Sequence, residues 1–294
     1  ACAPLSRVSR VRTRATPVPL GPETPAEELL DVCGTGGDRL GTFNISTTVA
    51  LVCAAAGVRV AKHGNRAITS KSGSADVLAA LGVPIELPPA EAAAALAGHG
   101  FAFLLAPRYH PAFQHLAPAR RLCAAAGQRT IFNFLGPLLN PARPGAQLLG
   151  VPQPALTAPL AQTLQALGTR RAMVVCGHTP GGLLDELSTL GPTDLSEFYQ
   201  DRGFSTSRLE PAPFPLQPGT LADLAGEHAA ETAAIRRRLL TGNDRGPRRD
   251  AVLLNAGAAL FVAGRAPGIT AGWELAAATL ESGAAARKLE ALRG

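Results

Sequence analysis

The chain has 294 residues, of which 46% are hydrophobic, 17% charged and 4% aromatic. This apolar fraction can build a sizeable core, which excludes a disordered or fibrous chain, and the length suggests one large domain or two smaller ones. The formal net charge of +6, from 28 basic and 22 acidic residues, would suit nucleic acid, an acidic membrane surface or a polyanionic small molecule.

Short apolar runs alternate with longer helical patterns after a Pro- and Arg-rich N-terminal arm (1–20), which is expected to be coil. The expected strands are 29–33, 58–61, 83–87, 101–105, 148–151 and 172–176, and the expected helices are 46–56, 74–81, 89–97 and 154–167. Strand, helix and strand at this spacing predict right-handed crossovers and a mainly parallel sheet flanked by helices in an α/β fold. The C-terminal third is predicted to be mostly helical, with a loop at 242–249.

The basic residues form two clusters, neither of which alternates with aromatic side chains that could stack on bases. Nucleic-acid binding is therefore disfavoured as a main function, and we expect these cations on solvated surface and around a phosphate site. The clusters are Arg7, Arg10, Arg12 and Arg14, and Arg236–Arg238 with Arg245, Arg248 and Arg249. The longest apolar runs, 49–58 and 256–263, are shorter than the ~20 residues that span a bilayer, which predicts a soluble protein without membrane contact.

The five cysteines include no C-x-x-C pair, and four of them lie in apolar stretches. This pattern favours buried free thiols in a reducing compartment over a zinc site or a disulfide framework, and we expect a cytoplasmic location. The chain begins with Ala1 rather than Met, so we expect that it was cleaved, trimmed or taken from a longer product.

A glycine-rich loop follows the first predicted strand, in the run Asp31-Val-Cys-Gly-Thr-Gly-Gly-Asp38. It leads through Asn44-Ile-Ser-Thr47 into a helix. Glycines let backbone N–H groups turn inward, and a helix N-terminus adds positive potential, so this loop can cradle phosphate oxygens. It matches neither Walker A nor G-x-G-x-x-G, and a tight turn with an ordinary helix start stays the alternative.

A second cluster, Lys62-His-Gly-Asn-Arg66, comes directly after the second predicted strand. The run Ser70-Lys-Ser-Gly-Ser-Ala-Asp76 then opens a helix. Two cations, a His and an Asn at a strand end, followed by a Ser/Gly loop, favour a second anion-binding corner over a purely structural role.

Adjacent carboxylates, Asp185 and Glu186, lie beyond the 172–176 strand in an otherwise acid-poor neighbourhood. Two adjacent carboxylates with no other signal around them usually lie on the solvated surface. Beside two phosphate-binding loops this pair predicts an Mg²⁺ site, because Mg²⁺ prefers oxygen ligands and often bridges carboxylates to substrate phosphates.

These motifs in this order, with Tyr109-His-Pro111 and the 129–141 segment, closely resemble the anthranilate phosphoribosyltransferase family from about residue 30 to the C-terminus. The resemblance implies a large α/β domain and a small helical domain with the active site at their hinge. It also implies transfer of the 5-phosphoribosyl group of phosphoribosyl pyrophosphate to the amine of anthranilate in tryptophan biosynthesis. Such chemistry needs phosphate cradles, metal and positioning more than a strict acid or base.

The resemblance further implies a role for individual residues. The donor, phosphoribosyl pyrophosphate, would be bound by Gly34, Thr35, Gly37, Asp38, Thr42, Asn44, Ser46, Thr47, Lys62 and Ser74. Anthranilate would be bound by Gly34, His63, Asn65, His110 and Arg120, and two Mg²⁺ ions by Ser46, Asp185 and Glu186.

The domain boundaries that the resemblance implies are 28–106 and 127–294 for the large domain and 107–126 for a small-domain segment. Residues 1–27 would be an arm that is a remnant of the small domain. The family normally begins with several helices that form much of the small domain and the homodimer contact, so we expect a shortened small domain here.

Two alternatives from other classes stay open. A pyrimidine nucleoside phosphorylase-like enzyme would share the architecture, but it cleaves with free phosphate and does not need the Asp185–Glu186 metal pair. A non-catalytic relative of the same fold would bind nucleic acid through its basic surface, with a steep salt dependence.

Overall fold

The computed structural model describes residues 8–9, 11–38, 40–66, 73–128, 130, 132–199, 203–226 and 229–293. Within these ranges eight strands form one sheet. They are β1 (Leu29–Gly34), β2 (Arg59–Gly64), β3 (Phe101–Leu105), β4 (Ala146–Gly150), β5 (Arg171–Thr179), β6 (Gly182–Leu184), β7 (Thr193–Tyr199) and β8 (Gly203–Leu209).

The strand order is β3-β2-β1-β4-β5-β7-β8, and β6 pairs with β5. The five strands β3, β2, β1, β4 and β5 are parallel, while β6, β7 and β8 are added antiparallel. The predicted mainly parallel sheet is therefore confirmed. Gly34 and Gly150 are register partners at the carboxyl ends of β1 and β4, which is the edge where ligands bind in sheets of this type.

The helices occupy the crossovers and most of the C-terminal region. They are α1 (Ile45–Ala55), α2 (Ser74–Ala80), α3 (Pro89–His99), α4 (Ala106–Tyr109), α5 (Ala117–Ala125), α6 (Phe132–Leu135), α7 (Thr157–Ala166), α8 (Ala229–Leu240), α9 (Pro247–Val262), α10 (Ile269–Glu281) and α11 (Ala284–Leu292). Short 3₁₀ turns add Ala26–Glu28, Pro111–Leu116, Gly136–Leu139, Pro154–Leu156 and Leu221–Leu224.

Side chains of the central strands alternate between two helical layers, as the pleat requires. Val32 of β1 packs into a cluster with α1, α9, α10 and α11. Its neighbour Cys33 packs with α7 on the opposite face, and α3 covers that same side of the sheet at β2 and β3. Helix α1 is apolar nearly all round and is buried accordingly.

The predicted strand at 83–87 is wrong, because the segment forms only an isolated bridge between Glu86 and Leu104. Pro84 and Pro88 provide no backbone N–H for a ladder. The helix expected to stop at Gly98 continues to His99, where Gly100 takes the left-handed conformation (φ 67°) that ends many helices.

The β7–β8 hairpin was not predicted, and the C-terminal third is less helical at its start than expected. Strand β8 is an exposed edge whose only large apolar residues, Phe204 and Leu209, do not alternate with its polar ones, so its conformation comes from pairing with β7. The arm is also not all coil, since residues 8–9 and 11–12 are helical and Val8 is buried.

Four of the five cysteines lie in the described ranges and are free thiols. Cys33, Cys53 and Cys176 are buried, as expected, whereas Cys123 is half-buried. No helix in the described parts of the chain is long and apolar enough to cross a membrane.

Candidate active site

The glycine-rich loop wraps around the Asp185 carboxylate at the carboxyl end of β1. The Gly36 backbone N–H donates to Asp185 Oδ2 at 2.7 Å, and Gly36 and Gly37 have φ angles of 73° and 88°, which only glycine adopts readily. A Cβ at Gly34 would collide with the same carboxylate oxygen. The first and third motifs of the sequence are thus one structural unit.

Two further glycines make room for the carboxylate segment, and sequence reasoning missed both. A Cβ at Gly150 would overlap the Asp185 carbonyl oxygen, and one at Gly177 would lie 2.6 Å from the Glu186 carbonyl oxygen. Asn255 of α9 holds the next residue, accepting from the Leu187 N–H at 2.9 Å and donating to its carbonyl at 3.0 Å. The segment is therefore fixed across the ends of β4 and β5.

The Glu186 carboxylate lies against the N-terminus of α1. The Ser46 N–H donates to Glu186 Oε1 at 3.0 Å, so the carboxylate satisfies one of the free donors of the first turn. Lys62 reaches the same place from β2, where its Nζ donates to the Val32 carbonyl at 2.5 Å and lies 3.4 Å from Ser46 Oγ. The glycine-rich loop, Lys62 and the two carboxylates therefore meet at the N-terminus of α1.

Burial sets the electrostatics of this cluster. It raises the pKa of Asp185, with the negative charge of Asp38 adding to the effect. It also raises the pKa of Glu186, where Asp185 adds to the effect. The pKa of Lys62 is lowered by burial and raised in part by Asp31. Two buried carboxylates that resist ionisation on their own fit a divalent cation, which would stabilise their charged forms.

No group of three or more His, Cys, Asp or Glu side chains in the described ranges is arranged to hold a metal ion. An ion at Asp185 and Glu186 would therefore need other oxygen ligands. Phosphate oxygens of a substrate, hydroxyls or water provide these for Mg²⁺ in many enzymes.

A buried polar cluster lies beneath the lysine. Asp31 Oδ1 accepts from the His63 backbone N–H at 3.3 Å, and Asp31 Oδ2 accepts from Asn140 Nδ2 at 2.9 Å. Burial raises the pKa of Asp31 to about 6. Asn140 also donates to the Ala61 carbonyl at 2.8 Å, so it ties the end of the 3₁₀ turn Gly136–Leu139 to β2.

Two histidine rings meet beside this cluster, with centroids 5.1 Å apart for His63 and His110. The His63 Nδ1 lies 3.1 Å from the Gly136 carbonyl oxygen, and His110 hydrogen-bonds the Leu139 backbone. Because a carbonyl can only accept, the His63 proton is on Nδ1, and its Nε2 is left as an acceptor. Both Nε2 atoms are buried without a hydrogen-bond partner among the described residues.

The second motif differs in position from the prediction. Lys62 and His63 are inside β2 rather than in the loop after it, because the strand is longer than its apolar run. Asn65 follows the strand, and its carbonyl accepts from Ser74 Oγ at 3.3 Å. Arg66 turns outward to Asp76 and Glu86, with N–O distances of 3.4 and 3.1 Å.

The remaining predicted residues are near the same edge or outside the described part. Thr35 and Thr47 each have a buried hydroxyl without a partner among the described residues. Thr42 forms an isolated bridge with Ala225. Residues 70–72, the Arg129 position and the Arg120 side chain lie outside the described residues.

Arg236 corrects an expectation, since it is not on solvated surface but fully buried. Its Nε donates to Thr48 Oγ1 at 2.8 Å, and its Nη2 donates to the Phe43 and Asn44 carbonyls at 2.6 and 2.8 Å. The helical spacing of the sequence could have predicted this burial, because Arg236 lies on the same face of α8 as the buried Leu239 and Leu240.

The chain resembles known proteins over nearly its full length. The model of the glycosyl transferase family, a/b domain, matches residues 26–286. Anthranilate phosphoribosyltransferase 2 of Streptomyces coelicolor is 51% identical over 276 residues, covering 94% of this chain and 79% of that protein. The anthranilate phosphoribosyltransferase of Chlorobium phaeovibrioides is 48% identical over 280 residues, covering 95% of this chain and 77% of that protein.

Solved structures of anthranilate phosphoribosyltransferases are also similar to this chain. The crystal structure of anthranilate phosphoribosyltransferase from Thermus thermophilus matches with a TM-score of 0.87 at 44% identity, covering 99% of this chain and 84% of that one. The Saccharomyces cerevisiae enzyme in complex with phosphoribosyl pyrophosphate and Mg matches with a TM-score of 0.85 at 30% identity, covering 98% and 78%. The same yeast enzyme has been solved in complex with 4-fluoroanthranilate, with a TM-score of 0.84 at 28% identity and coverage of 98% and 77%.

Proposed function

Because the chain belongs to the anthranilate phosphoribosyltransferase family, we propose that it converts phosphoribosyl pyrophosphate and anthranilate into N-(5-phosphoribosyl)anthranilate and pyrophosphate. This makes it a glycosyltransferase of tryptophan biosynthesis. The observation that carries the proposal is the meeting of the glycine-rich loop, Lys62 and the buried Asp185–Glu186 pair at the N-terminus of α1.

The donor would occupy the carboxyl end of β1. The glycine-rich loop and the N-terminus of α1 suit phosphate oxygens, and Lys62 adds a cation. The buried hydroxyls of Thr35 and Thr47, which lack partners among the described residues, support this position. The proposed donor residues are Gly34, Thr35, Gly37, Asp38, Thr42, Asn44, Ser46, Thr47, Lys62 and Ser74.

Mg²⁺ fits the same cluster, and we infer two ions held by Ser46, Asp185 and Glu186 with the donor's phosphates. When bound, Mg²⁺ would offset the negative charge that builds on the leaving pyrophosphate. Support comes from the burial of both carboxylates and from the yeast relative, which was solved with phosphoribosyl pyrophosphate and Mg.

In the reaction a bond forms between the anthranilate nitrogen and C1 of the ribose, while the C1–oxygen bond to pyrophosphate breaks. The bonding electron pair leaves with pyrophosphate, and the nitrogen loses a proton. The residues of this chain would bind and orient the donor at the loop, so the protein supplies position and electrostatic stabilisation rather than a strong base.

Anthranilate would lie on the histidine side, at Gly34, His63, Asn65, His110 and Arg120. The buried Nε2 acceptors of His63 and His110 suit the amine, which carries two N–H donors. Their neutral rings can accept a hydrogen bond, and the arginine is assigned to the carboxylate by family resemblance.

The domain division stays a proposal: 28–106 and 127–294 form the large domain, 107–126 belongs to the small helical domain, and 1–27 is its remnant. The helical character of the 3₁₀ turn Pro111–Leu116 and of α5 supports this division. A homodimer follows from the family resemblance, and a cytoplasmic location from that resemblance and the free thiols.

The carboxylate assignment is tested with Asp185→Asn and Glu186→Gln, which keep the size of each side chain. We expect each variant to lower turnover by ~100-fold or more and to raise the Mg²⁺ concentration required, because charge opposite the leaving group is lost. Glu210→Gln, on an exposed residue of the β8 side, is the matched control. Unchanged turnover and Mg²⁺ dependence in folded Asp185→Asn would contradict the assignment.

A further inference from the structure

A fully buried arginine contacts the turn that leads into α1. Arg236 of α8 makes its three hydrogen bonds to neutral acceptors, and no carboxylate in the described ranges forms an ion pair with it. Burial lowers the pKa of Arg236 to about 9, and its Nη1 is buried without a partner among the described residues. Burying a cation without a counter-ion is unfavourable for folding, because the charge loses its hydration. Its presence therefore indicates a role that requires an arginine at this position.

The atoms that Arg236 contacts belong to an unusual helix start. Asn44, the residue before α1, is left-handed (φ 56°, ψ 60°) and makes no side-chain cap, whereas most residues at this position are extended and cap the helix themselves. The Arg236 Nη2 bridges the carbonyls of Phe43 and Asn44, and its Nε reaches Thr48 in the first turn. The guanidinium therefore clamps the turn to the helix that follows it.

Residues just before α8 also hold this turn through backbone hydrogen bonds. The Phe43 N–H donates to the Leu224 carbonyl at 3.1 Å, and the Gly226 N–H donates to the Gly41 carbonyl at 2.7 Å. A Cβ at Gly226 would lie 2.5 Å from the Thr42 carbonyl oxygen. The C-terminal region therefore contacts the whole segment 41–48 through hydrogen bonds and close packing.

The positive charge of Arg236 affects what can bind at the N-terminus of α1. The N-terminus of a helix carries partial positive charge, so a second cation beside it is unfavourable in the protein alone. Lys62, whose Nζ lies 3.4 Å from Ser46 Oγ, adds to this repulsion, and the Arg236 charge lowers the pKa of Lys62 in turn. The arrangement becomes favourable when an anion occupies the helix end, and Glu186 is the one carboxylate of the described residues that bonds there.

We propose that Arg236 is a positioning residue for the pyrophosphate-bearing donor, holding the 43–48 turn so that the N-terminus of α1, Ser46 and Thr47 face the donor's phosphates. It does not touch the substrate itself. This inference rests on the proposed function, since the phosphate anion that it prepares for is that of phosphoribosyl pyrophosphate.

The test compares Arg236→Met, which keeps the length without charge, and Arg236→Lys, which keeps the charge without the fork. In Arg236→Met we expect both the KM and the calorimetric Kd for phosphoribosyl pyrophosphate with Mg²⁺ to rise about tenfold, a shift of ~1.4 kcal/mol. The KM for anthranilate should change by less than about twofold, and Arg236→Lys should recover part of the donor affinity. Arg238→Met, on an exposed residue of the same helix, should match the wild type.

Equal increases of both KM values, or donor affinity equal to that of the wild type in folded Arg236→Met, would overturn the inference. If Arg236→Met does not fold, Arg236→Lys decides, and an unchanged donor Kd there overturns it equally. If the wild type does not use anthranilate, the proposed function fails, whereas the calorimetric donor affinity of the variants still tests Arg236.

Discussion

At the scale of single residues, backbone carbonyls decide what the two site histidines can do. His63 and His110 hydrogen-bond Gly136 and Leu139, at the two ends of one 3₁₀ turn. Burial, with His110 as the second cause, lowers the pKa of His63 to about 3, and burial also lowers the pKa of His110. Both rings are therefore neutral at pH 7 and act as acceptors rather than as cations.

This neutrality has a consequence for stability. His63 stays neutral in the folded state, while the unfolded chain binds a proton below its ordinary pKa of about 6.5, so acid favours unfolding through this group. Between pH 6.5 and 5.5 we expect the wild type to lose about 1 kcal/mol more unfolding free energy than His63→Gln. The pH slopes of the unfolding free energy must be compared between the two proteins, because Asp31, Asp185 and Glu186 have the opposite effect. Their raised pKa values stabilise the folded state as the pH falls.

Urea unfolding of both proteins at each pH measures this difference, with His99→Gln, an exposed histidine of α3, as the control. Parallel pH slopes for the wild type and His63→Gln would show that the His63 ring is protonated alike in both states.

At the scale of elements, glycines at strand ends let the carboxylate loop lie directly on the sheet. Gly34 and Gly150 are partners in the β1–β4 ladder, and both face Asp185 with no space for a side chain. The close approach turns three separate strand ends into one site. It also means that a single added methyl group at either glycine can push the Asp185 segment away from the glycine-rich loop.

Gly150→Ala tests this close approach, and Gly98→Ala is its matched control. We expect Gly150→Ala to lower Mg²⁺-dependent turnover by ~100-fold and to destabilise the fold by about 1–3 kcal/mol, because the added Cβ overlaps the Asp185 carbonyl. Gly98 lies inside α3, where an added Cβ would meet no atom of the described residues within 4 Å apart from the helix's own backbone. Its change to Ala should stabilise the helix by up to ~1 kcal/mol. Equal thermal midpoints and equal turnover in the two variants would refute the steric argument.

At the scale of the whole molecule, three of the 28 basic residues bind the carbonyl ends of helices. Arg171 donates to the Phe261 and Val262 carbonyls, Arg265 to the Ala56 carbonyl and Lys288 to the His99 carbonyl. Each cation thereby meets the negative end of a helix at the amino edge of the sheet. A basic surface for nucleic acid is thus not needed to explain these residues.

The sequence predicted the parallel sheet and the convergence of three motifs, because apolar runs and the loops after them follow from local pattern. It did not predict the β7–β8 hairpin, whose edge strand has no apolar face. It also missed Gly150, Gly177 and Arg236, since each depends on which distant segment lies opposite. The roles of Arg120 and the donor residues stay predictions.

The most direct measurement mixes the protein with phosphoribosyl pyrophosphate, Mg²⁺ and anthranilate and follows the fluorescence of anthranilate. We expect a loss of fluorescence that requires all three components, with pyrophosphate released in equal amount. Unchanged fluorescence in the complete mixture, with the donor still bound in calorimetry, would contradict the assignment as an anthranilate phosphoribosyltransferase.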